Sequence, residues 1–413
     1  MRIVLDLQGA QGKSRFRGIG RYTLSLALAI AQNRGDHEII IVLNGLFTET
    51  IQPIQAAFHG ILSKESFRIW IMPKFVQYCQ KIPGTWGQKR AEQSYEQFIM
   101  DLSPDIVHIS SLFEHYKSGA ITSIGIIAQK TPIIVTFYDL IPFLNMQHYF
   151  KLKPKRKQYY LHKIEHLKRA TAWLTISRFS VEEAKTVLNL HQKKFFNISA
   201  GSSFRHKKIS KEEINKTLQL FDLKKPFLMY SSSTDKRKNH FRLISAYSEL
   251  PQFLRNQYQL LLVGNISKKR KAQFMAHIRF CELTDHEVII TGHISDETMA
   301  ILYQICHLFV FPSLSEGFGL PILEAMCCGA PVIGSNTSSI PEIIGRTDSL
   351  FNPHDEKDIS QKIMEVLNDE TFRQTLIGHS LQQAKLFSWD KSAKVAISAC
   401  EQLHAYKNNP TLL

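Results

Sequence analysis

Cysteine is scarce in this chain of 413 residues: Cys79, Cys281, Cys306, Cys327, Cys328 and Cys400 are the full set, and no C-x-x-C pair occurs. That excludes a disulfide-built fold. Cys327 and Cys328, adjacent in an apolar run, read as buried thiols of a reducing compartment. Long hydrophobic runs are missing as well. The apolar stretch at 24–31 is broken by Ser25 and falls far short of the roughly 20 residues that span a membrane. The opening MRIVLDLQGA is a strand pattern followed by polar residues, not a signal peptide. The expectation is a soluble cytosolic chain.

Negative charge is the third shortage. Asp and Glu number 36 against 51 Lys and Arg, a net charge of +15. Such an excess suits nucleic acid, anionic membrane or phosphorylated ligands, and says nothing about fold. Its placement is uneven: residues 1–200 hold 26 basic and 14 acidic side chains (+12), residues 201–413 hold 25 and 22 (+3). Disorder is excluded by a hydrophobic fraction of 44% and an aromatic fraction of 10%. The length suits two full domains at roughly 150 residues each, with room for a third.

Short runs rich in Val and Ile alternate with longer amphipathic segments from end to end. They predict strands over 3–7, 38–43, 105–110, 132–137, 173–176 and 195–198, then 226–231, 259–263, 287–291, 308–311 and 331–333. Continuous apolar runs suit strands covered on both faces, hence parallel sheets flanked by helices. The implied class is α/β, with two doubly wound Rossmann-like domains facing across a cleft. The break falls near 200–216, where Gly, Ser and basic residues replace the apolar pattern. The expected boundaries are 1–203, 217–388, and a terminal helix in 389–413 that crosses back to the first domain.

Two motifs fail on inspection. Gly12-Lys13-Ser14 follows a strand, but a phosphate-binding P-loop needs glycine where Leu7 stands. His162, Glu165 and His166 match an H-x-x-E-H zinc pattern. The surrounding lysines and arginines, from Lys151 to Arg169, predict a cationic solvated helix with ordinary surface histidines.

Three segments carry chemistry. Gly18 and Gly20, between the first strand and a helix predicted from 20 to about 32, either let backbone N–H groups approach a phosphate or simply tighten a turn. Arg237 and Lys238 follow the first strand of the second half, just before a predicted helix. Cations there neutralise a diphosphate without metal, or form a solvated basic turn. The third is the strongest. In PSLSEGFGLPILEAM, Glu316 lies in a glycine-flanked loop after a strand, and Glu324 lies in the opening turns of a helix started by Pro321. A carboxylate among apolar residues is an expensive placement unless it binds something. Two carboxylates with the backbone N–H groups of Phe318 and Gly319 between them suit vicinal hydroxyls, as on sugars.

Glu316 and Glu324, with seven residues between them in PSLSEGFGLPILEAMCCGAPVIGS, resemble the signature of glycosyltransferase family 4. RGIGRYTLSLALA, VTFYDLIP, LTISRFS, KRKNH, TGHISDETMAILYQICHLFVFPS and FSWDKSA resemble further segments of that family, in the same order. The resemblance implies a GT-B fold, retention at the anomeric carbon and a nucleotide-sugar donor. It implies that Glu316 contacts donor-sugar hydroxyls, that Glu324 contacts the ribose, and that Lys238, aided by Arg237, holds the diphosphate. Gly18 or Gly20 would approach the diphosphate from the other domain. Phe318, Gly319 and Leu320 would offer backbone donors, and Gly292, His293 and Ile294 fall in the base-binding stretch. Tyr138 and Asp139 fall on the acceptor or sugar side. The chain departs from the family twice. Ser232 and Ser233 stand where many members have Gly-Arg, and Tyr138 stands where many have His.

No D-x-D occurs, so neither a metal nor another cofactor is expected. The RGIGRYT start resembles bacterial polysaccharide mannosyltransferases and favours GDP-mannose over UDP-hexoses and dTDP-rhamnose. A lipid-linked glycan is the implied acceptor. A basic helix within 151–169, with Tyr159, Tyr160 and Leu161 interspersed, either lies on an anionic inner leaflet or is simply solvated. The alternatives are a GT-B nucleotide-sugar epimerase, a phosphorylase, or a nucleic-acid-binding protein. The last lacks a helix-turn-helix, a zinc pattern or a recognisable RNA module, so no nucleic-acid partner is expected.

Overall fold

A computed structural model describes residues 1–72, 86–114, 119–127 and 130–408; Cys79 lies outside them. The chain divides into two compact units, Met1–Ala200 with Trp389–Leu413, and Gly201–Ser388.

The first unit holds β1 (Arg2–Asp6), β2 (Glu38–Asn44), β3 (Phe67–Trp70), β4 (Ile106–Ile109), β5 (Ile133–Phe137), β6 (Ala172–Thr175) and β7 (Lys194–Asn197) in one sheet. All pairs are parallel, in the order β3-β2-β1-β4-β5-β6-β7. The second unit holds β8 (Phe227–Ser231), β9 (Gln259–Val263), β10 (Val288–Ile290), β11 (Leu308–Phe311), β12 (Val332–Ser335) and β13 (Leu350–Phe351). Its order is β10-β9-β8-β11-β12-β13, again all parallel.

Each sheet starts in the middle and winds outward both ways. The strand order therefore reverses between β1 and β4, and between β8 and β11, which is where such sheets bind ligands. The central strands are apolar on both faces and fully buried, as with Ile3, Val4 and Leu5 in β1 or Leu260, Leu261 and Leu262 in β9. Helices cover both sides. Trp70, Tyr95, Val107 and Trp173 share one core in the first unit.

Two strands and one helix escape the sequence pattern. β3 is a short edge strand with only Phe67 and Trp70 buried, and β13 is two residues long. The helix Lys211–Leu220 lies inside the basic stretch that resembles a linker, so the second unit begins at Gly201 and not at 217. A capping box starts it: Ser210 accepts from the Glu213 amide, and Glu213 reaches back to the Ser210 amide.

The helix Trp389–Asn408 belongs to the first unit, where Trp389 meets Tyr22 edge-on at 4.8 Å. Tyr22 lies in the helix Gly18–Gln32 and donates its hydroxyl hydrogen to the Ser199 carbonyl. The start of this helix is pressed onto the short turn Lys13–Phe16. A Cβ at Gly20 would fall 2.3 Å from both Arg15 Cα and the Ser14 carbonyl oxygen. Close backbone packing thus accounts for this glycine. Gly20→Ala is expected to cost about 1–3 kcal/mol through overpacking, read as a lower urea midpoint; an unchanged midpoint would contradict the packing.

Candidate functional site

The loops after β8 and β11 meet at the reversal point of the second sheet. After β8 the chain turns through Lys236–Lys238, with the Asp235 carboxylate accepting the Arg237 amide at 3.1 Å. Asn239 follows in the left-handed region (φ 61°) and starts the helix His240–Ser248. Three hydrogen bonds fix this turn. Tyr230 donates to the Lys238 carbonyl at 2.8 Å, the Leu314 amide donates to the Arg237 carbonyl at 2.7 Å, and the Asn239 amide group donates to Pro312 at 3.0 Å.

These constraints aim two cations at one acid. Glu316 is 6% exposed. Its Oε1 accepts from Lys238 Nζ at 2.5 Å and from Ser313 Oγ at 2.6 Å, while Oε2 accepts from Arg237 Nη1 at 2.6 Å. Burial by itself would raise the Glu316 carboxyl, but Arg237 and Lys238 outweigh it and hold it down to about 2. Burial lowers the Lys238 ammonium, and Glu316 works against that. The carboxylate therefore offsets the two adjacent cations, Lys238 buried and Arg237 partly exposed. Removing one partner of such a buried cluster typically costs about 3–5 kcal/mol. The Glu316 loop is held in turn by Ser338, which accepts the Glu316 amide at 3.0 Å, and by Ser339, which donates to the Glu316 and Phe318 carbonyls at 3.0 and 2.7 Å.

Glu324 belongs to a neighbouring chain of hydroxyls. It is buried in the helix Leu320–Cys327 and accepts from Tyr303 at 3.3 Å, and Tyr303 pairs with Ser231 Oγ at 2.6 Å. Gly319 starts that helix at φ 111°, a conformation that favours glycine. The Phe318 ring packs edge-on against Phe387 at 5.8 Å, so its side chain serves the core. The first N–H groups of the helix at Leu320 have no acceptor within it. Ser232 donates to the Ser233 carbonyl at 3.0 Å and pairs with His240 Nε2 at 3.1 Å. Gly292 (φ 91°), His293 and Ile294 form the turn between β10 and the helix Asp296–Ile305.

Two expected residues lie in the first unit, after β5. Tyr138 donates to the Ser110 carbonyl at 3.0 Å, and burial pushes its phenol up. Asp139 accepts the Ile141 amide at 3.0 Å. Gly18, exposed, and Gly20 also belong to this unit. The Tyr138–Leu140 turn is steadied by residues the sequence analysis does not single out. Ser180 donates to the Tyr138 carbonyl at 3.1 Å, and Glu183 accepts the Leu140 amide at 2.8 Å. Burial, with Asp139 nearby, pushes the Glu183 carboxyl up to about 7. Both residues sit on the helix Arg178–Leu188, and the usable signal was its cap: Ser177 accepts the Ser180 amide at 3.0 Å.

The histidine helix corrects the expectation of a solvated surface. In Pro154–Arg169, Lys163 and His166 are buried, and Tyr159 and Tyr160 face the core. Their acid is Glu92, which lies 2.9 Å from Lys163 Nζ and 3.0 Å from His162 Nε2. Glu165 points outward and pairs with Lys168. Ligand atoms of Glu92, His162 and His166 come within 4.8 Å of one another, yet a metal ion does not fit. His166 Nδ1 accepts the Ile124 amide at 2.8 Å, whereas a histidine bound to metal through Nε2 carries its proton on Nδ1. Lys163 already neutralises Glu92, so an added dication would leave uncompensated buried charge. The Gly12-Lys13-Ser14 turn is likewise occupied internally, with Ser14 donating to Glu114 at 2.9 Å.

Two parallel Rossmann-like units, the second with a cation–carboxylate cluster at its reversal point, define the GT-B class of glycosyltransferases. Residues 16–201 match the model of Glycosyltransferase Family 4 and residues 211–382 that of Glycosyl transferases group 1. The chain belongs to glycosyltransferase family 4. It is similar to the serotype-specific mannosyltransferase WbdA of Escherichia coli, 34% identical over 406 residues covering 98% of this chain and 48% of WbdA. The chain thus spans about half the length of that relative. O-antigen chain mannosyltransferase B of Escherichia coli is 28% identical, covering 94% of this chain and 96% of its own. Among solved structures, Anabaena Alr3699/HepE in complex with UDP and glucose superposes with a TM-score of 0.67 at 18% identity. It covers 98% of this chain and 100% of that one, and shares the fold. Among the described residues no helix is long and apolar enough to cross a membrane.

Proposed function

We propose that the protein transfers a mannosyl residue, with retention, from a nucleotide-sugar to a lipid-linked glycan in cell-surface polysaccharide synthesis, with GDP-mannose as the donor. The observation that carries the chemistry is the Arg237–Glu316–Lys238 cluster at the β8/β11 reversal. Transfer breaks the bond between the sugar and the diphosphate, and negative charge builds on the departing phosphate oxygen. Lys238 and Arg237 stabilise that charge, in a site whose low dielectric strengthens them. Glu316 keeps both cations placed and offers its carboxylate to sugar hydroxyls. In the same proposal Glu324 binds the ribose, residues 292–294 flank the base, and the N–H groups of Phe318, Gly319 and Leu320 face the sugar. The departing phosphate oxygen, rather than a side-chain nucleophile, assists the acceptor from the same face. Two side-chain cations and the lack of a D-x-D support transfer that needs no metal.

The mannosyl specificity rests on the likeness to WbdA and to O-antigen chain mannosyltransferase B. Tyr138 and Asp139, in the unit with the larger positive charge, lie on the acceptor side. That charge supports work at the inner face of the cytoplasmic membrane.

A thermal-shift panel of nucleotide-sugars tests the donor. A ligand at a hundredfold excess over its Kd stabilises the folded state by about 2.7 kcal/mol, so GDP-mannose should raise the melting temperature above UDP-hexoses and dTDP-rhamnose. A larger shift with one of those reassigns the donor, and no shift with any would sink the proposal.

A further inference from the structure

Between Asp139 and Glu165 the chain contains no acidic residue. Within that stretch the helix Met146–Phe150 passes into the helix Pro154–Arg169 through a tight turn. The Lys153 amide donates to the Phe150 carbonyl at 2.8 Å, closing four residues. Lys151 has φ −51° and ψ 128°, and Leu152 has φ 58°. That is a type II turn with Leu152 at the third position, where Gly or Asn is strongly preferred. Leucine is doubly misplaced there. Its branched side chain strains a left-handed backbone, and it stands 93% exposed to water. Lys151, Lys153, Lys155 and Lys157 around it are all exposed, and Arg156 is braced over the Phe150 ring at 5.7 Å.

A residue unfavourable to both the turn and its hydration fits a side chain that is buried in a partner. The exposed lysines flanking it say what that partner carries. We propose that the turn Phe150–Lys153 is a membrane anchor, with Leu152 entering the acyl boundary of an anionic bilayer while the lysines contact lipid phosphates. The attachment is this protruding turn and not the face of the following helix, whose tyrosines are buried. The inference rests on the proposed work at a membrane and names the residues that make the contact.

The test uses the full chain and vesicles of phosphatidylglycerol and phosphatidylcholine, read by co-sedimentation. Leu152→Gly suits the turn better than leucine does, so it should keep or raise the melting temperature while lowering vesicle binding about tenfold, as expected for an apolar side chain withdrawn from lipid. Replacing Lys151, Lys153, Lys155 and Lys157 together by Ala should abolish the preference for anionic over neutral vesicles and the sensitivity to salt. Undiminished binding of Leu152→Gly overturns the proposal, as does equal binding of the unaltered protein to neutral vesicles. Binding to duplex DNA with the same dependence on these residues would overturn it too, since that partner is charged but has no acyl layer. Transfer to a water-soluble acceptor, assayed in parallel, keeps the two proposals apart. Its absence would count against the enzymatic assignment without touching the anchor, and its retention in Leu152→Gly is the result expected here.

Discussion

Glu316→Gln is expected to lower sugar transfer a hundredfold to a thousandfold while the nucleoside diphosphate still binds. The magnitude is that of losing one preorganised electrostatic element at a reacting centre. Glutamine has nearly the same shape, so the loop held by Ser313, Ser338 and Ser339 has no steric reason to move. What changes is charge. Arg237 and Lys238 then face an amide, one half of which repels their N–H groups, and both lose the anion that offsets their burial. A diphosphate supplies negative charge of its own, so binding survives. The ordered placement of the cations against the departing oxygen does not. Radiometric transfer assays and nucleotide titration separate the two outcomes, and unchanged turnover would refute the role given to Glu316. Ionisation adds a sign. Glu316 is held near about 2, below its ordinary 4.5, so its contribution to stability is present above the ordinary value and lost only as the pH falls toward 2. No inflection near neutral pH should trace to it.

Lys238→Ala is expected to reduce kcat by a similar hundredfold to thousandfold, with a smaller change in the donor's KM. An interaction made mainly with charge that develops in the transition state shows itself in this way. The ammonium pairs with Glu316 and the backbone carbonyl of Lys238 is fixed by Tyr230, so the substitution deletes a placed charge and leaves the bond that holds the turn. A raised KM with kcat unchanged would show that Lys238 contributes only uniform binding.

Eleven of the thirteen strands among the described residues, and the end of the chain, were legible because buried parallel strands leave an unbroken apolar run. β3 was not, because it is a four-residue edge strand whose apolar run is broken by Arg68. The helix Lys211–Leu220 hid among basic residues, although Ser210 and Glu213 spell a capping box. At the site, Glu316 and Glu324 stood out through their glycines and the proline that follows. The ion pair of Glu316 with Lys238 did not, since 78 residues separate them and only the adjacency of β8 and β11 brings them together. The same limit misled on Lys163 and His166. A run of basic residues looks solvated when its acid, Glu92, lies 71 residues away. Ser180 closes the segment LTISRFS, but neither that segment nor the residues around Glu183 tell that the two hold the backbone of another loop.

The most direct test of the central claim is the fate of the sugar when purified protein meets GDP-mannose, with and without a lipid-linked glycan acceptor, in the presence of a metal chelator. The account predicts release of nucleoside diphosphate that depends on the acceptor, and a product whose new linkage keeps the anomeric configuration of the donor. Release of a free sugar isomer without acceptor, or sugar cleavage that requires inorganic phosphate, would contradict it and point to an epimerase or a phosphorylase.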